Sequence, residues 1–191
     1  MTRDQALRTA LATLIRERSV QTGTFTLASG RQSGYYIDAR RTTMSAEGFA
    51  LIGQLGLEAI RAAGLTPSVV GGLTLGADPV AYAVARASRD WPPTIDAFTV
   101  RKGPKGHGAR RQIEGCFKPG AAVVIVEDVV TSGQSALSAA EAVLNADGAV
   151  LAVLAVVDRE EGGKERIVEA GFPLIALLTP ADLGLPTQAA S

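Results

Sequence analysis

Glu127 and Asp128 stand side by side where an apolar run meets a turn, in Val123-Val124-Ile125-Val126-Glu127-Asp128-Val129-Val130-Thr131-Ser132-Gly133-Gln134-Ser135. The β-branched run from Val123 to Val126 reads as a buried strand. The Ala- and Leu-rich stretch from Ser135 to Leu144 reads as a helix opening at the Ser-Gly turn. A strand that turns directly into a helix gathers free backbone N–H groups and the positive helix end at one spot, which suits a phosphate dianion. Two carboxylates at its entrance suit the vicinal hydroxyls of a sugar, or a metal near them. Phosphate, ribose and metal together point to a phosphorylated ribose. An ordinary helix cap would need one acid, not two. The segment is not a Walker loop, because no Gly-Lys-Ser/Thr follows, and no G-x-G-x-x-G stands after a strand pattern.

Two further groups of residues carry chemistry. Residues 101 to 111 hold Arg101, Lys102, Lys105, Arg110 and Arg111 without one acid. Gly103, Pro104, Gly106 and Gly108 in the same stretch disfavour regular structure and permit large motion. Cations with the chain's sole histidine, His107, on such a segment can fold over a polyanion. Arg159 follows Val156-Val157-Asp158 at the carboxyl end of an apolar strand, the edge where open α/β sheets bind ligands. A guanidinium fork there can grip a carboxylate in two places.

The elements that must position these groups are legible in outline. Leu7, Leu11, Leu14 and Ile15 share one face of a helix over 3–18. Phe25 to Leu27 and Tyr35 to Asp38 read as short strands around the Ser29-Gly30 turn. Ser45 caps a helix to about Ala62, and Val69 to Gly72 is a short buried strand. Asp78-Pro79 reads as a cap with proline at the first helical position of a helix to Ser88. Strands follow at Ile95 to Val100, Ala122 to Glu127, Val150 to Val157 and Pro173 to Leu178, with a short helix at Lys164 to Ala170 and a last turn from Thr179-Pro180. Strands alternating with helices, the central ones apolar throughout, predict an α/β fold with a parallel sheet covered on both faces.

Composition narrows the function. The 191 residues suit a single domain, with 47% hydrophobic and 20% charged side chains. Nineteen basic side chains balance 19 acidic ones, which argues against a generally basic nucleic-acid binder. Cys116 is the one cysteine, so no internal disulfide forms and a reducing compartment fits. Arg3 and Asp4 open a helical pattern rather than a signal peptide, and no apolar run approaches the ~18 residues that span a bilayer. A soluble, cytoplasmic protein is expected.

On the segment 123–135 and on Arg101-Lys102-Gly103-Pro104-Lys105-Gly106-His107-Gly108, the chain resembles the type I phosphoribosyltransferases, and within them the orotate phosphoribosyltransferases. The likeness runs from Phe25 to Arg159 at least. It implies the fold of that group: a parallel-sheet core flanked by helices, a small hood largely from residues 1–45, and a mobile catalytic loop over 101–114. It implies Mg2+-dependent transfer of ribose 5-phosphate from phosphoribosyl pyrophosphate (PRPP) to orotate, in pyrimidine synthesis. By the same resemblance Arg101, Lys102, Lys105 and His107 contact the pyrophosphate, with Lys105 and His107 closest to the chemistry. Glu127 and Asp128 bind the ribose hydroxyls, and Asp128 counts among the catalytic residues. The amides and hydroxyls of Val129, Val130, Thr131, Ser132, Gly133, Gln134 and Ser135 hold the 5-phosphate. Thr131 and Arg159 contact orotate. Tyr36 and Ile37 match a pair that lines the orotate pocket, although an aromatic and a β-branched residue suit plain core equally well. Mg2+ takes its ligands mainly from PRPP and water, with no direct protein ligand. A homodimer is implied, each loop donated to the neighbouring site, with no nucleic-acid or membrane partner. Alternatives are a phosphoribosyltransferase for another base, or a non-catalytic PRPP-sensing regulator that binds nucleic acid.

The chain departs from the family at Ala28 and Gly76, where lysines near the pyrophosphate are frequent. Arg31 and Arg40 are the nearby candidates to compensate. Gly71, Gly72 and Gly76 admit backbone conformations closed to other residues, and the resemblance implies a cis peptide between Thr74 and Leu75.

Overall fold

The computed structural model describes residues 2–26, 32–103 and 112–186. Helix α1 (Arg3–Arg18) is capped by the Thr2 hydroxyl and buries Leu11, Leu14 and Ile15, the predicted face. Strands β1 (Val20–Thr26) and β2 (Gln32–Ile37) pair antiparallel as a separate two-stranded sheet. A short helix, α2 (Arg40–Thr43), follows; the sequence pattern does not reveal it, because four residues carry no periodicity. Helix α3 (Ala46–Ala62) opens as predicted at Ser45, whose hydroxyl accepts from the Gly48 amide at 3.1 Å.

The remaining strands form the main sheet. They are β3 (Val69–Leu73), β4 (Asp96–Val100), β5 (Ile113–Gly115), β6 (Ala122–Val130), β7 (Ala149–Asp158) and β8 (Leu174–Leu178), in the spatial order β5-β4-β3-β6-β7-β8. All neighbours run parallel except β5, which returns antiparallel along β4. The core explains the unbroken apolar strands. On β6, Val124 and Val126 face α1, α3 and helix α4 (Ala77–Asp90), while Val123 and Ile125 face helix α5 (Gln134–Leu144). On β7, Leu154 and Val156 lie on the first side, Val153 and Ala155 on the second, beside Ile167 of helix α6 (Gly163–Glu169). Each such strand is covered on both faces, so neither face needs polar residues.

Three expectations shift. First, β6 extends to Val130, because it pairs with β7 through Val130 and Asp158; the two acids lie within the strand rather than after it. Second, Asp78 does not cap α4. It sits in the helix's first turn, and its carboxylate accepts from the Thr74 and Thr99 hydroxyls at 2.6 and 2.8 Å. Third, Ile113 and Glu114, expected at the end of a loop, belong to β5, and the Arg101 amide bonds the Gln112 carbonyl at 2.9 Å. Lys105, His107, Ala28 and Arg31 lie outside the described residues.

Candidate active site

The sheet order sets the location. From β3 the chain builds outward to β4 and β5, then returns to place β6 on the other side of β3. Between the carboxyl ends of β3 and β6 the winding reverses, which opens a crevice. A cleft of about 710 Å3 lies there. Tyr36, Ile37, Lys102, Glu127, Asp128, Val129, Thr131, Ser132, Ser135 and Arg159, all expected at the site, line it. A second hollow of about 30 Å3 lies under the turn and adds Val130, Gly133 and Gln134 to its lining. The Val130 side chain is itself part of the core. Arg101 is not among the lining residues; its guanidinium lies 3.9 Å from the Glu114 carboxylate.

Glu127 is 6% exposed, and its Oε2 is buried without a hydrogen-bond partner among the described residues. Burial, and then the neighbouring Asp128 charge, hold its carboxyl well above the usual carboxylate range. An orphaned acceptor of this kind calls for hydrogen-bond donors or a cation. Asp128 accepts from the Val129 amide at 2.9 Å through Oδ1. Among the described residues no three His, Cys, Asp or Glu side chains converge to hold a metal.

The turn after β6 is built by close packing. Gly133 has φ 74°, a left-handed conformation, and a β-carbon there would also meet the Gly163 carbonyl at 2.9 Å. Arg166, which nothing in the sequence flags, braces the turn from outside by donating to the Ser132 carbonyl at 2.8 Å and to Gln134 Oε1 at 3.1 Å. The opposite wall is the β3–α4 loop, where the Thr74–Leu75 peptide is cis, as the resemblance implies. Gly71, Gly72 and Gly76 do not adopt left-handed backbone, contrary to expectation. They are glycines because of close approach: a β-carbon would lie 2.3 Å from the Phe98 carbonyl, 2.2 Å from the Val126 carbonyl and 2.5 Å from Asp128 Oδ1, respectively.

Arg159 is 2% exposed. Its Nη2 donates to Ser33 Oγ at 3.1 Å and pairs with Glu161 at 2.7 Å, and its guanidinium lies 4.6 Å above the Tyr35 ring. The cation is thus fixed by three neighbours that the sequence reading missed. Arg159 Nε and the Tyr35 hydroxyl are buried without hydrogen-bond partners among the described residues. Burial pushes the Tyr35 hydroxyl's pKa up, against the pull of Arg159. Tyr36 and Ile37 differ in exposure along β2, whose residues alternate between exposed and buried. Tyr36 is exposed, its ring centroid 5.9 Å from that of Phe25 at a tilt of 37°, whereas Ile37 is buried in the core; both border the cleft. Asp38 and Arg40 complete the rim.

A parallel sheet with paired acids at a strand end, a tight turn into a helix, and a crevice at the switch point define a type I phosphoribosyltransferase. Comparison with known proteins narrows the class. No protein-family model matches the chain. It is 47% identical over 179 residues to the orotate phosphoribosyltransferase of Aquifex aeolicus, covering 92% of this chain and 97% of that one. The crystal structure of Mycobacterium tuberculosis orotate phosphoribosyltransferase in complex with Fe(III) dicitrate superposes with a TM-score of 0.83 at 48% identity, over 94% of this chain and 99% of that one. The same enzyme in complex with PRPP gives a TM-score of 0.77 at 41% identity, over 94% and 92%. The chain belongs to the orotate phosphoribosyltransferase family of pentosyl-transferring enzymes.

Proposed function

We propose that this cleft carries out the reaction of its family, PRPP and orotate giving orotidine 5'-monophosphate and pyrophosphate, with the residues in the following roles. The anomeric C–O bond of PRPP breaks, and its electron pair leaves with pyrophosphate. N1 of orotate forms the new bond to that carbon and gives up its proton to the departing pyrophosphate or to water. Positive charge builds on the ribose and negative charge on the leaving group, so the protein's work is electrostatic.

Glu127 and Asp128 accept from the ribose hydroxyls. The observation that carries this reading is the buried Glu127 Oε2, an acceptor without a donor among the described residues, at the carboxyl end of β6. The turn from Thr131 to Ser135 takes the 5-phosphate, supported by the hollow beneath it and the left-handed Gly133. Arg159 binds the orotate carboxylate with its fork already oriented by Glu161, Ser33 and Tyr35. Tyr36 covers the base. Lys102, with Arg101, Lys105 and His107 of the loop, neutralises pyrophosphate when the loop closes and excludes water. Mg2+ adds positive charge at the pyrophosphate when bound; the acidic pair fits a cation nearby, held mainly through PRPP oxygens and water. The loop acts in the neighbouring subunit of a homodimer, and the chain forms one catalytic domain. A cytoplasmic setting accords with the single free cysteine, Cys116, and with the absence, among the described residues, of any helix long and apolar enough to cross a membrane.

The test is a panel of bases offered with PRPP and Mg2+: orotate, uracil, adenine and hypoxanthine. Transfer to orotate alone is expected, and equal transfer to uracil, which lacks the carboxylate, refutes the role given to Arg159. Arg159→Ala weakens orotate by about 10- to 150-fold, the value of a charge-assisted pair at ~1.5–3 kcal/mol, and leaves PRPP affinity nearly intact. Melting is followed alongside, because the change also removes one partner of a buried ion pair.

A further inference from the structure

A pyrophosphate in this cleft needs cations, and the described lining residues supply three: Arg40, Lys102 and Arg159. Arg159 is buried and already engaged with Glu161 and Ser33. The β3–α4 loop cannot supply another at Gly76, because a β-carbon there would lie 2.5 Å from Asp128 Oδ1 and 2.9 Å from its Cγ. Four acids share the same lining, Asp38, Glu127, Asp128 and Glu161. Of the three cations, Arg40 and Lys102 are the ones exposed at the rim.

Arg40 stands on that rim. It opens α2, which is pinned beneath by the fully buried Thr42 and Thr43, with Thr42 Oγ1 at 2.7 Å from Ser19 Oγ. Its Nε donates to Asp38 Oδ1 at 2.8 Å, in a pair that is half exposed on the arginine side. That bond fixes the stem and leaves the two terminal nitrogens, Nη1 and Nη2, without a hydrogen bond to the described residues. An exposed pair of this kind is weak by itself, so an arriving polyanion can take over the guanidinium at small cost. The planar fork then matches two phosphate oxygens at once.

We infer that Arg40 is a pyrophosphate-binding residue of this enzyme, supplying from α2 the positive charge that Gly76 excludes from the β3–α4 loop. The inference rests on the proposed function, since it takes PRPP as the occupant of the cleft. It predicts a division between ligands. Pyrophosphate and PRPP meet Arg40; orotidine 5'-monophosphate, which lacks the pyrophosphate, does not.

The experiment is calorimetric titration of the full chain with inorganic pyrophosphate, PRPP and orotidine 5'-monophosphate, each with Mg2+, on wild type, Arg40→Ala and Arg40→Lys. Arg40→Ala is expected to weaken pyrophosphate and PRPP about tenfold, the loss of one charge-assisted contact. Orotidine 5'-monophosphate affinity stays within twofold of wild type. Arg40→Lys recovers part of the loss, because the charge returns without the fork. Unchanged pyrophosphate affinity in Arg40→Ala overturns the inference, and so does an equal loss for all three ligands, which marks a merely structural residue. A wild-type protein that binds neither PRPP nor pyrophosphate overturns the parent reading instead, and the inference with it.

Discussion

Gly76→Ala is the smallest perturbation that reaches the chemistry. Gly76 has φ −61° and ψ −42°, ordinary helical values, so an added methyl meets no backbone penalty. It meets the Asp128 carboxylate, at 2.5 Å from Oδ1 and 3.0 Å from Oδ2. Ordinary contact begins at 3.4 Å, so the carboxylate must retreat by about 0.9 Å. The side chain is short, and Oδ1 is held by the Val129 amide at 2.9 Å; the rotation that clears the methyl draws Oδ1 off that amide. A hydrogen bond to a charged acceptor is worth ~1.5–3 kcal/mol, and a displacement near 1 Å at a reacting centre typically costs on the order of 10²-fold in rate. The expected outcome is a fall of about 100-fold in kcat/KM, with KM for PRPP raised and KM for orotate nearly unchanged. The assay is the initial rate of PRPP-dependent orotate consumption, with circular dichroism and melting as folding controls. Gly34→Ala is the companion control, because a β-carbon there has no heavy atom within 4 Å. A folded Gly76→Ala enzyme with kcat/KM within threefold of wild type refutes the placement of Asp128 against the ribose.

Glu127→Gln should stabilise the free protein at neutral pH and destroy PRPP binding. The sign follows from the raised pKa: above the ordinary glutamate value near ~4.3, the folded state keeps a proton the unfolded state has lost, so the Glu127 penalty grows as pH rises through that window toward the raised value. The melting advantage of Glu127→Gln should therefore vanish below that ordinary value, and a gain that persists unchanged in acid contradicts the assignment. Mixing Lys105→Ala subunits with Asp128→Asn subunits should restore activity at one site of each heterodimer; none from a verified heterodimer rules out a loop acting in trans.

The sequence exposes the parts of this site that repeat a local pattern. The apolar run into Glu127-Asp128, the Thr-Ser-Gly turn and the strand before Arg159 are contiguous, and periodicity with turn chemistry is enough to read them. What it hides is long-range. Arg159 finds Ser33, 126 positions away in sequence, and Arg166 finds Ser132 across 34. Asp78 reads as a helix cap, because Asp before Pro usually is one, yet tertiary structure gives its carboxylate to Thr99 on β4. Gly76 reads as conformational freedom, whereas only the register of β3 against β6 reveals the crowding with Asp128. Tyr35 and Tyr36 are chemically alike as neighbours, and only the pairing of β2 with β1 separates the one that turns inward from the one that faces the cleft.

The distribution of charge about the cleft has a mechanistic logic. Glu127 and Asp128 lie within β6, a central strand, whereas Arg40 and Lys102 lie on a short helix and a loop at the rim. Ribose hydroxyls need acceptors that do not move, since the ring must hold its angle while its anomeric bond breaks. Pyrophosphate needs the reverse, strong attraction in the transition state and release afterwards. Two unit charges 4 Å apart attract by ~1 kcal/mol in water and by ~4 kcal/mol at an effective dielectric of 20. A half-exposed rim cation is therefore a weak ligand in the open site and a strong one when water is excluded. Burying the cations permanently would hold product as tightly as the transition state and lose the difference on which catalysis depends. On the proposed roles, acids set in the sheet and cations set at the rim would let the exclusion of water raise the attraction and its return remove it.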